Sequence, residues 1–167
     1  MVEEGYDVAL RIGNMKDSGL IAKNLFRVTL LPVATPAFVQ KHGHIESIDD
    51  LVKLPFLGYK LGDDYLNYTA PDGQFGRIKP LMAHSFNNGD FLHQMVLGGL
   101  GYSILPTFIV YHSFNAKTLV PLLGDHQWGN THAYAVYPSA RHLSNKTRTF
   151  IDFISAAFSG TPFWEKY

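Results

Sequence analysis

Short stretches of this chain alternate between apolar and polar residues, and the stretches between them carry apolar residues at helical spacing. Residues 8–12 alternate and stop at Gly13, which predicts a buried strand that ends in a turn. Pro32 lies inside a second β-rich run and cannot donate a ladder hydrogen bond, so we expect an edge, a bulge or a crossover there. The predicted strands are residues 8–12, 27–33, 56–60, 79–85, 102–105, 119–122 and 131–137.

Helices are predicted between these strands, and most of them have recognisable ends. Ser47 and Ser144 are expected N-caps, and glycines at positions 98–101 end the helix before them. A loop or hairpin is expected over residues 62–79. The predicted helices are residues 37–41, 47–52, 89–97, 108–114 and 145–158. Strands that alternate with helices predict an α/β fold with mainly parallel pairing.

Composition excludes several classes of function. The chain has 167 residues, 14 basic and 14 acidic side chains and no cysteine. A DNA-binding domain normally carries a basic excess, so we expect DNA contact only through a part that this chain lacks. Without cysteine there is no disulfide framework, thiolate metal site or cysteine nucleophile. No apolar run reaches about 18 residues and no signal peptide is recognisable, which predicts a cytoplasmic protein without membrane contact.

No motif of catalysis, metal binding or cofactor binding stands out. The chain has eight histidines, but neither the pair His42 and His44 nor the pair His84 and His93 has the spacing of a zinc helix motif. Ser103 does not lie in a G-x-S-x-G turn. The glycines at 98–101 follow a helix and precede a strand, the wrong order for a dinucleotide site. We expect no metal, no cofactor and no enzyme activity.

The start of the helix at residue 89 is one candidate binding site. Asn87, Asn88 and Asp90 lie where free N–H groups and the helix dipole favour an anion, and Ser85 and Asn87 add side-chain hydrogen bonds. A carboxylate ligand would fit there. Ordinary N-capping by Asn88 or Asp90 is the alternative, and one geometry can serve both purposes.

A second candidate set lies at the carboxyl end of the first strand. Arg11, Gly13 and Asn14 follow one another there, and an arginine can hold a carboxylate through two parallel hydrogen bonds. Arg11 could instead pair with an acid such as Asp17. Tyr102 follows the glycine turn and, with the serine after it, is expected to face the same ligand.

Several segments together resemble the effector-binding domain of LysR-type transcriptional regulators. They occur in the family's order, cover nearly the whole chain, and are residues 7–13 (DVALRIG), 17–22 (DSGLIA), 31–38 (LPVATPAF), 85–88 (SFNN), 98–106 (GGLGYSILP), 134–139 (YAVYPS) and 141–144 (RHLS). The resemblance implies a two-lobed fold like that of type 2 periplasmic binding proteins. It also implies a small effector in the interlobe cleft, a separate DNA-binding domain and oligomerisation of the intact protein.

The resemblance also divides the chain into lobes. Residues 1–33 with 130–167 would form a discontinuous first lobe, residues 34–129 the second, and segments 31–35 and 130–133 a hinge. The family's DNA-binding part and the opening strand, helix and second strand of the first lobe are not matched, so the first lobe is expected to be incomplete. The strand at 8–12 would then have an unpaired edge.

Two other functions stay open from the sequence. A small-solute-binding module of transport or of another sensor shares the same fold logic, but it would need a signal peptide or an anchor. An enzyme is a third possibility that the fold permits, although no catalytic group is recognisable.

Overall fold

The computed structural model describes residues 6–13, 19–60, 62, 64–138 and 144–166. Its strands are β1 (Ala9–Ile12), β2 (Leu20–Ala34), β3 (Pro55–Tyr59), β4 (Leu66–Thr69), β5 (Phe75–Ile78), β6 (Leu81–Phe86), β7 (Ser103–Pro106), β8 (Val120–Pro121) and β9 (Gln127–Pro138). Its helices are α1 (Pro36–His42), α2 (Ile48–Leu51), α3 (Gly89–Leu97), α4 (Thr107–Asn115) and α5 (Asn145–Ala157), followed by a short 3-10 helix, Phe163–Glu165.

The predicted helix starts are confirmed because their capping side chains make the expected hydrogen bonds. Ser47 forms a capping box with Asp50, in which each side chain accepts a hydrogen bond from the other residue's backbone N–H. The hydroxyl oxygen of Ser144 accepts from the N–H of Thr147 at 3.2 Å. These bonds are local in sequence, which is why the sequence could predict them.

The expectation of mainly parallel pairing is wrong. β1 with β9, β2 with β7, β2 with β8, β4 with β5 and β4 with β9 are all antiparallel. β3 and β6 form a parallel pair in a separate two-stranded sheet. The alternation of strands and helices along the chain does not fix strand direction, because β2 and β9 are long strands that pair with partners far away in sequence.

Pro32 does not interrupt its strand, so the expected bulge is not found, whereas the expected crossover stays a prediction. β2 runs continuously through Pro32 to Ala34, and Pro32 lies opposite Ile104 in the ladder with β7. The proline carbonyl still accepts a hydrogen bond from the N–H of Leu122 at 2.8 Å. One missing donor is tolerated because the neighbouring residues continue the ladder.

The chain forms two compact units. Unit 1 contains Met1–Val28 and Asn130–Phe163, and unit 2 contains Thr29–Gly129 and Trp164–Tyr167. The chain therefore passes from one unit to the other within β2, within β9 and again between Phe163 and Trp164. The lobe limits and the hinge expected from the sequence stay predictions.

Unit 2 is built around two apolar clusters. The first joins strands β2, β3 and β7 to helices α3 and α4, and its buried members are Leu31, Val33, Leu57, Leu92, Val96, Leu105, Val110 and Leu119. The second lies beneath α1, α2 and the β4–β5 hairpin, and its buried members are Ala34, Phe38, Leu51, Leu54, Phe56, Tyr102, Leu122 and Trp128. The first cluster holds the helix that begins at the candidate site.

Unit 1 contains β1, α5, the part of β2 before Thr29 and the part of β9 after Gly129. β1 pairs with β9 alone among the described strands, which leaves its other edge unpaired, as expected. The strand is not buried, however: Leu10 is 54% and Ile12 51% exposed. Alternation shows that residues share a face, but burial also needs an element packed over that face, and no described residue covers these two.

Candidate functional site

Asn88 organises the junction between β6 and α3. Its side-chain oxygen accepts a hydrogen bond from the N–H of Phe91 at 2.9 Å, and its backbone carbonyl accepts from the N–H of Leu92 at 3.0 Å. Asn88 is therefore the N-cap of the helix, one of the two roles that the sequence left open. Ser85 and Asn87 lie just before it and are exposed. The structure thus brings Ser85, Asn87 and Asn88 together at one helix start.

The first turn of α3 still has hydrogen-bonding capacity after this capping. The leading N–H groups of a helix have no acceptor within the helix. The side chain of Asn88 accepts that of Phe91, which leaves those of Gly89 and Asp90 without an acceptor in α3. The positive end of the helix dipole favours an anion at this point. Asp90 places its own exposed carboxylate in the same turn, where it opposes a second negative charge. An anionic ligand would have to compete with that charge.

Contacts with α4 fix the position of α3. The Nε2 atom of His93 lies 2.8 Å from the hydroxyl oxygen of Ser113. A side chain at Gly89 would come within 3.1 Å of the Ile109 side chain, so the first turn packs closely on α4. Burial lowers the pKa of His93, with a smaller opposing effect from the carboxylate of Asp90. The neutral imidazole is therefore favoured, and it can share one hydrogen bond with Ser113.

The second candidate set lies in unit 1. Arg11 is exposed and stands opposite Tyr134 in the pairing of β1 with β9. Gly13 has a φ of 120° and donates its N–H to the carbonyl of His132 at 3.2 Å. A left-handed φ of this kind favours glycine. Asn14 and the alternative Arg11 partner, Asp17, lie outside the described residues.

Tyr102 is in the core, and the expectation that it faces a ligand does not match its surroundings. Its side chain is 0% exposed and packs on Phe56, with the ring centroids 5.1 Å apart. Ser103 is also buried and donates its hydroxyl to the carbonyl of Leu57 at 2.7 Å. Tyr102 belongs to the second apolar cluster of unit 2, and Ser103 begins β7, which α3 and α4 contact. Among the described residues the Tyr102 hydroxyl has no hydrogen-bond partner, and burial raises its pKa.

We expect Tyr102→Phe to raise the free energy of unfolding by about 1 kcal/mol, because it removes a buried hydroxyl without a partner. Ser103→Ala is the matched contrast: it deletes a buried hydroxyl that does donate, and should cost about 1 kcal/mol. Urea unfolding of both variants checks whether the free energy of unfolding rises in Tyr102→Phe and falls in Ser103→Ala. A loss of stability in Tyr102→Phe would contradict the unsatisfied state of this hydroxyl.

A cavity that the sequence did not predict lies in unit 1. It has a volume of about 220 Å³ and is lined by Asp7, Val8, Lys146, Thr147 and Phe150. The ammonium group of Lys146 lies 2.6 Å from the carboxylate of Asp7. Sequence patterns could not show this cavity because its two walls are far apart along the chain.

The described part of the chain has neither a cluster of metal ligands nor a helix that could span a membrane. No group of three or more His, Cys, Asp or Glu residues there is placed to hold a metal ion. None of the helices described is both long and apolar enough to span a membrane.

Comparison with known proteins identifies a family. The model of the LysR substrate binding domain matches residues 1–159. The HTH-type transcriptional regulator CrgA of Neisseria meningitidis serogroup C is 30% identical over 155 residues, which cover 92% of this chain and 52% of the regulator. The chain therefore spans about half the length of the curated relatives that it matches.

Solved structures have a fold similar to that of this chain. The CrgA regulatory domain from Neisseria meningitidis superposes with a TM-score of 0.73 at 30% identity, over 93% of this chain and 76% of that domain. Full-length AphB, a virulence activator of Vibrio cholerae, superposes with a TM-score of 0.77 at 22% identity, over 92% of this chain and 52% of AphB. The predicted α/β fold, like that of periplasmic binding proteins, is confirmed.

Proposed function

The chain belongs to the LysR substrate-binding-domain family, and on that basis we propose that it senses a small anionic effector for a transcriptional regulator. The family match over residues 1–159 is the observation that carries this proposal. In the proposed mechanism, the effector binds one arrangement of the lobes more tightly and thereby raises its population. An attached DNA-binding domain would respond to that change.

The start of α3 supports an anionic effector. The N–H groups of Gly89 and Asp90, the helix dipole and the side chains of Ser85 and Asn87 all suit a carboxylate. Arg11, which is exposed at the end of β1 in unit 1, would supply the opposite charge. We propose Gly13 and Asn14 as further effector-binding residues beside Arg11.

The net charge supports the placement of DNA binding in a different domain from effector binding. With 14 basic and 14 acidic side chains, the chain has no excess of positive charge for contact with DNA phosphates. The relative CrgA is an HTH-type transcriptional regulator about twice as long as the matched region. We accordingly place DNA binding in a separate domain, and we place the regulator in the cytoplasm as a homo-oligomer without a cofactor.

The relatives favour a transcriptional regulator over a solute-binding module or an enzyme. A solute-binding module would use the same fold, but the relatives are named as transcriptional regulators. The same names argue against an enzyme. Turnover that scales with protein concentration in a broad substrate screen would support the hypothesis that the chain is an enzyme.

The proposal is tested by thermal unfolding of the chain against small carboxylates, aromatic acids and amino acids. A ligand that binds the native state raises the Tm. At a hundredfold excess over Kd it raises the free energy of unfolding by about 2.7 kcal/mol. With a ligand found, Arg11→Ala should weaken binding at least about tenfold, because it removes a charged hydrogen-bonding partner. Arg77→Ala, an exposed arginine outside the site, is the matched control.

A second pair of variants tests the helix start. Asn88→Asp keeps a good N-cap but adds a negative charge, and is expected to weaken anion binding about tenfold at unchanged Tm. Asp90→Asn removes a competing charge and should strengthen binding about two- to fivefold. If titration calorimetry shows the same Kd for these variants and for Arg11→Ala as for the parent chain, the effector binds elsewhere. If none of the ligands in the panel raises the Tm, that result counts against a small anionic effector.

A further inference from the structure

The end of the chain folds back onto α4. After α5 the chain forms the short 3-10 helix Phe163–Glu165, within which Trp164 is only 9% exposed. The Trp164 ring packs edge-on against Phe108 in the first turn of α4, with the ring centroids 6.2 Å apart. Trp164 accordingly groups with unit 2, although the residue before it groups with unit 1.

The Glu165 side chain lies at the beginning of α4. Its Oε1 atom accepts a hydrogen bond from the hydroxyl of Thr107, at 2.6 Å, and Thr107 is the fully buried first residue of that helix. The N-cap of α4 is Pro106, which supplies no capping side chain. A carboxylate is stabilised at the positive end of a helix, and hydrogen bonds to carboxylates are stronger than neutral ones. Glu165 thus places a carboxylate beside the start of a helix that has no capping side chain of its own.

The Thr107 hydroxyl has a second acceptor. The backbone carbonyl of Thr29 lies 3.3 Å from the same hydroxyl oxygen. A hydroxyl has one proton to donate, so the shorter bond to Glu165 is the one made while the tail is docked. If Glu165 leaves, the hydroxyl can turn to Thr29, and no buried donor is left without a partner. This alternative lowers the free-energy cost of undocking.

We propose that Trp164 and Glu165 form a releasable latch, which in its docked state stabilises the start of α4 and steadies the packing of α3 on it. The second effect follows from the contacts of α4, because Ser113 bonds to His93 and Ile109 packs on Gly89, both in α3. The latch does not depend on the proposed effector.

Hydrogen exchange measured by mass spectrometry on the whole ligand-free chain tests the latch. Glu165→Gln and Trp164→Ala should speed amide exchange in the first turn of α4 about two- to fivefold, because the first removes the negative charge at the helix start and the second removes the ring that packs on Phe108. A smaller rise is expected in α3, and none in the β4–β5 hairpin. The controls are Lys166→Ala, an exposed charge next to Glu165, and Phe163→Ala, an aromatic residue that is 63% exposed.

The exchange rates in α4 and in α3 test the two effects of the latch separately. Exchange in α4 that is no faster in Glu165→Gln than in Lys166→Ala overturns the latch. Faster exchange in α4 without any change in α3 overturns the support of α3. Should Trp164→Ala fail to fold, Glu165→Gln alone decides, because it alters a half-exposed side chain and leaves the Trp164 packing intact.

Discussion

Gly101→Ala should lower the free energy of unfolding by about 3 kcal/mol, near the upper end for overpacking in a core. An alanine Cβ at this position would lie 2.5 Å from the carbonyl oxygen of Pro55 and 3.0 Å from Leu57. The Pro55 carbonyl cannot move away cheaply, because it accepts the N–H of Tyr102 at 3.0 Å. The substitution therefore pushes β3 away from the strand beside it.

Urea unfolding followed by tryptophan fluorescence measures this loss, because both tryptophans of the chain, Trp128 and Trp164, belong to unit 2. Gly160→Ala is the matched control: its added Cβ meets no atom within 4 Å, and the residue has no left-handed φ. Equal unfolding midpoints for the two variants would contradict the close approach of Gly101 to β3.

Leu92→Ala is expected to cost about 3 kcal/mol, within the range for a buried leucine truncated to alanine. Leu92 is 1% exposed and belongs to the cluster that joins α3 and α4 to the strands. The substitution removes apolar contacts and leaves a cavity, and the helix loses its main anchor. For a chain of this size the loss corresponds to a fall in Tm of about 10 °C.

Leu100→Ala serves as the control, since that leucine is 52% exposed in the turn after α3. Its truncation should change the free energy of unfolding by less than about 0.5 kcal/mol. Calorimetry or urea unfolding distinguishes the two variants. A Leu92→Ala variant as stable as Leu100→Ala would mean that α3 is not anchored by this cluster, and the geometry inferred for the helix start would lose its basis.

The candidate site was only partly predictable. The sequence located the start of α3 and the capping role of Asn88, because a cap depends on residues within one helical turn. It did not predict the burial of Tyr102, which depends on the packing of Phe56 and of residues of α1 and α2 around the ring. It had no signal for the contact of Glu165 with Thr107, which joins residues 58 positions apart.

What the sequence determined by itself is local. The presence and type of the helices and most strands follow from periodicity, and the N-caps Ser47, Asn88 and Ser144 follow from side chains that bond to the backbone three residues away. The ordered segments from residue 7 to residue 144 also pointed to the LysR family, which the family match confirms.

Tertiary structure decided the rest, because it depends on pairings between residues far apart in sequence. The antiparallel partners of β2 and β9, the unbroken course of β2 through Pro32 and the exposure of Leu10 and Ile12 are results of what packs beside each strand. Alternation marks the face that residues share, but burial depends on whether another element covers that face. The latch on α4 is of the same kind, since only the folded chain brings Glu165 to Thr107.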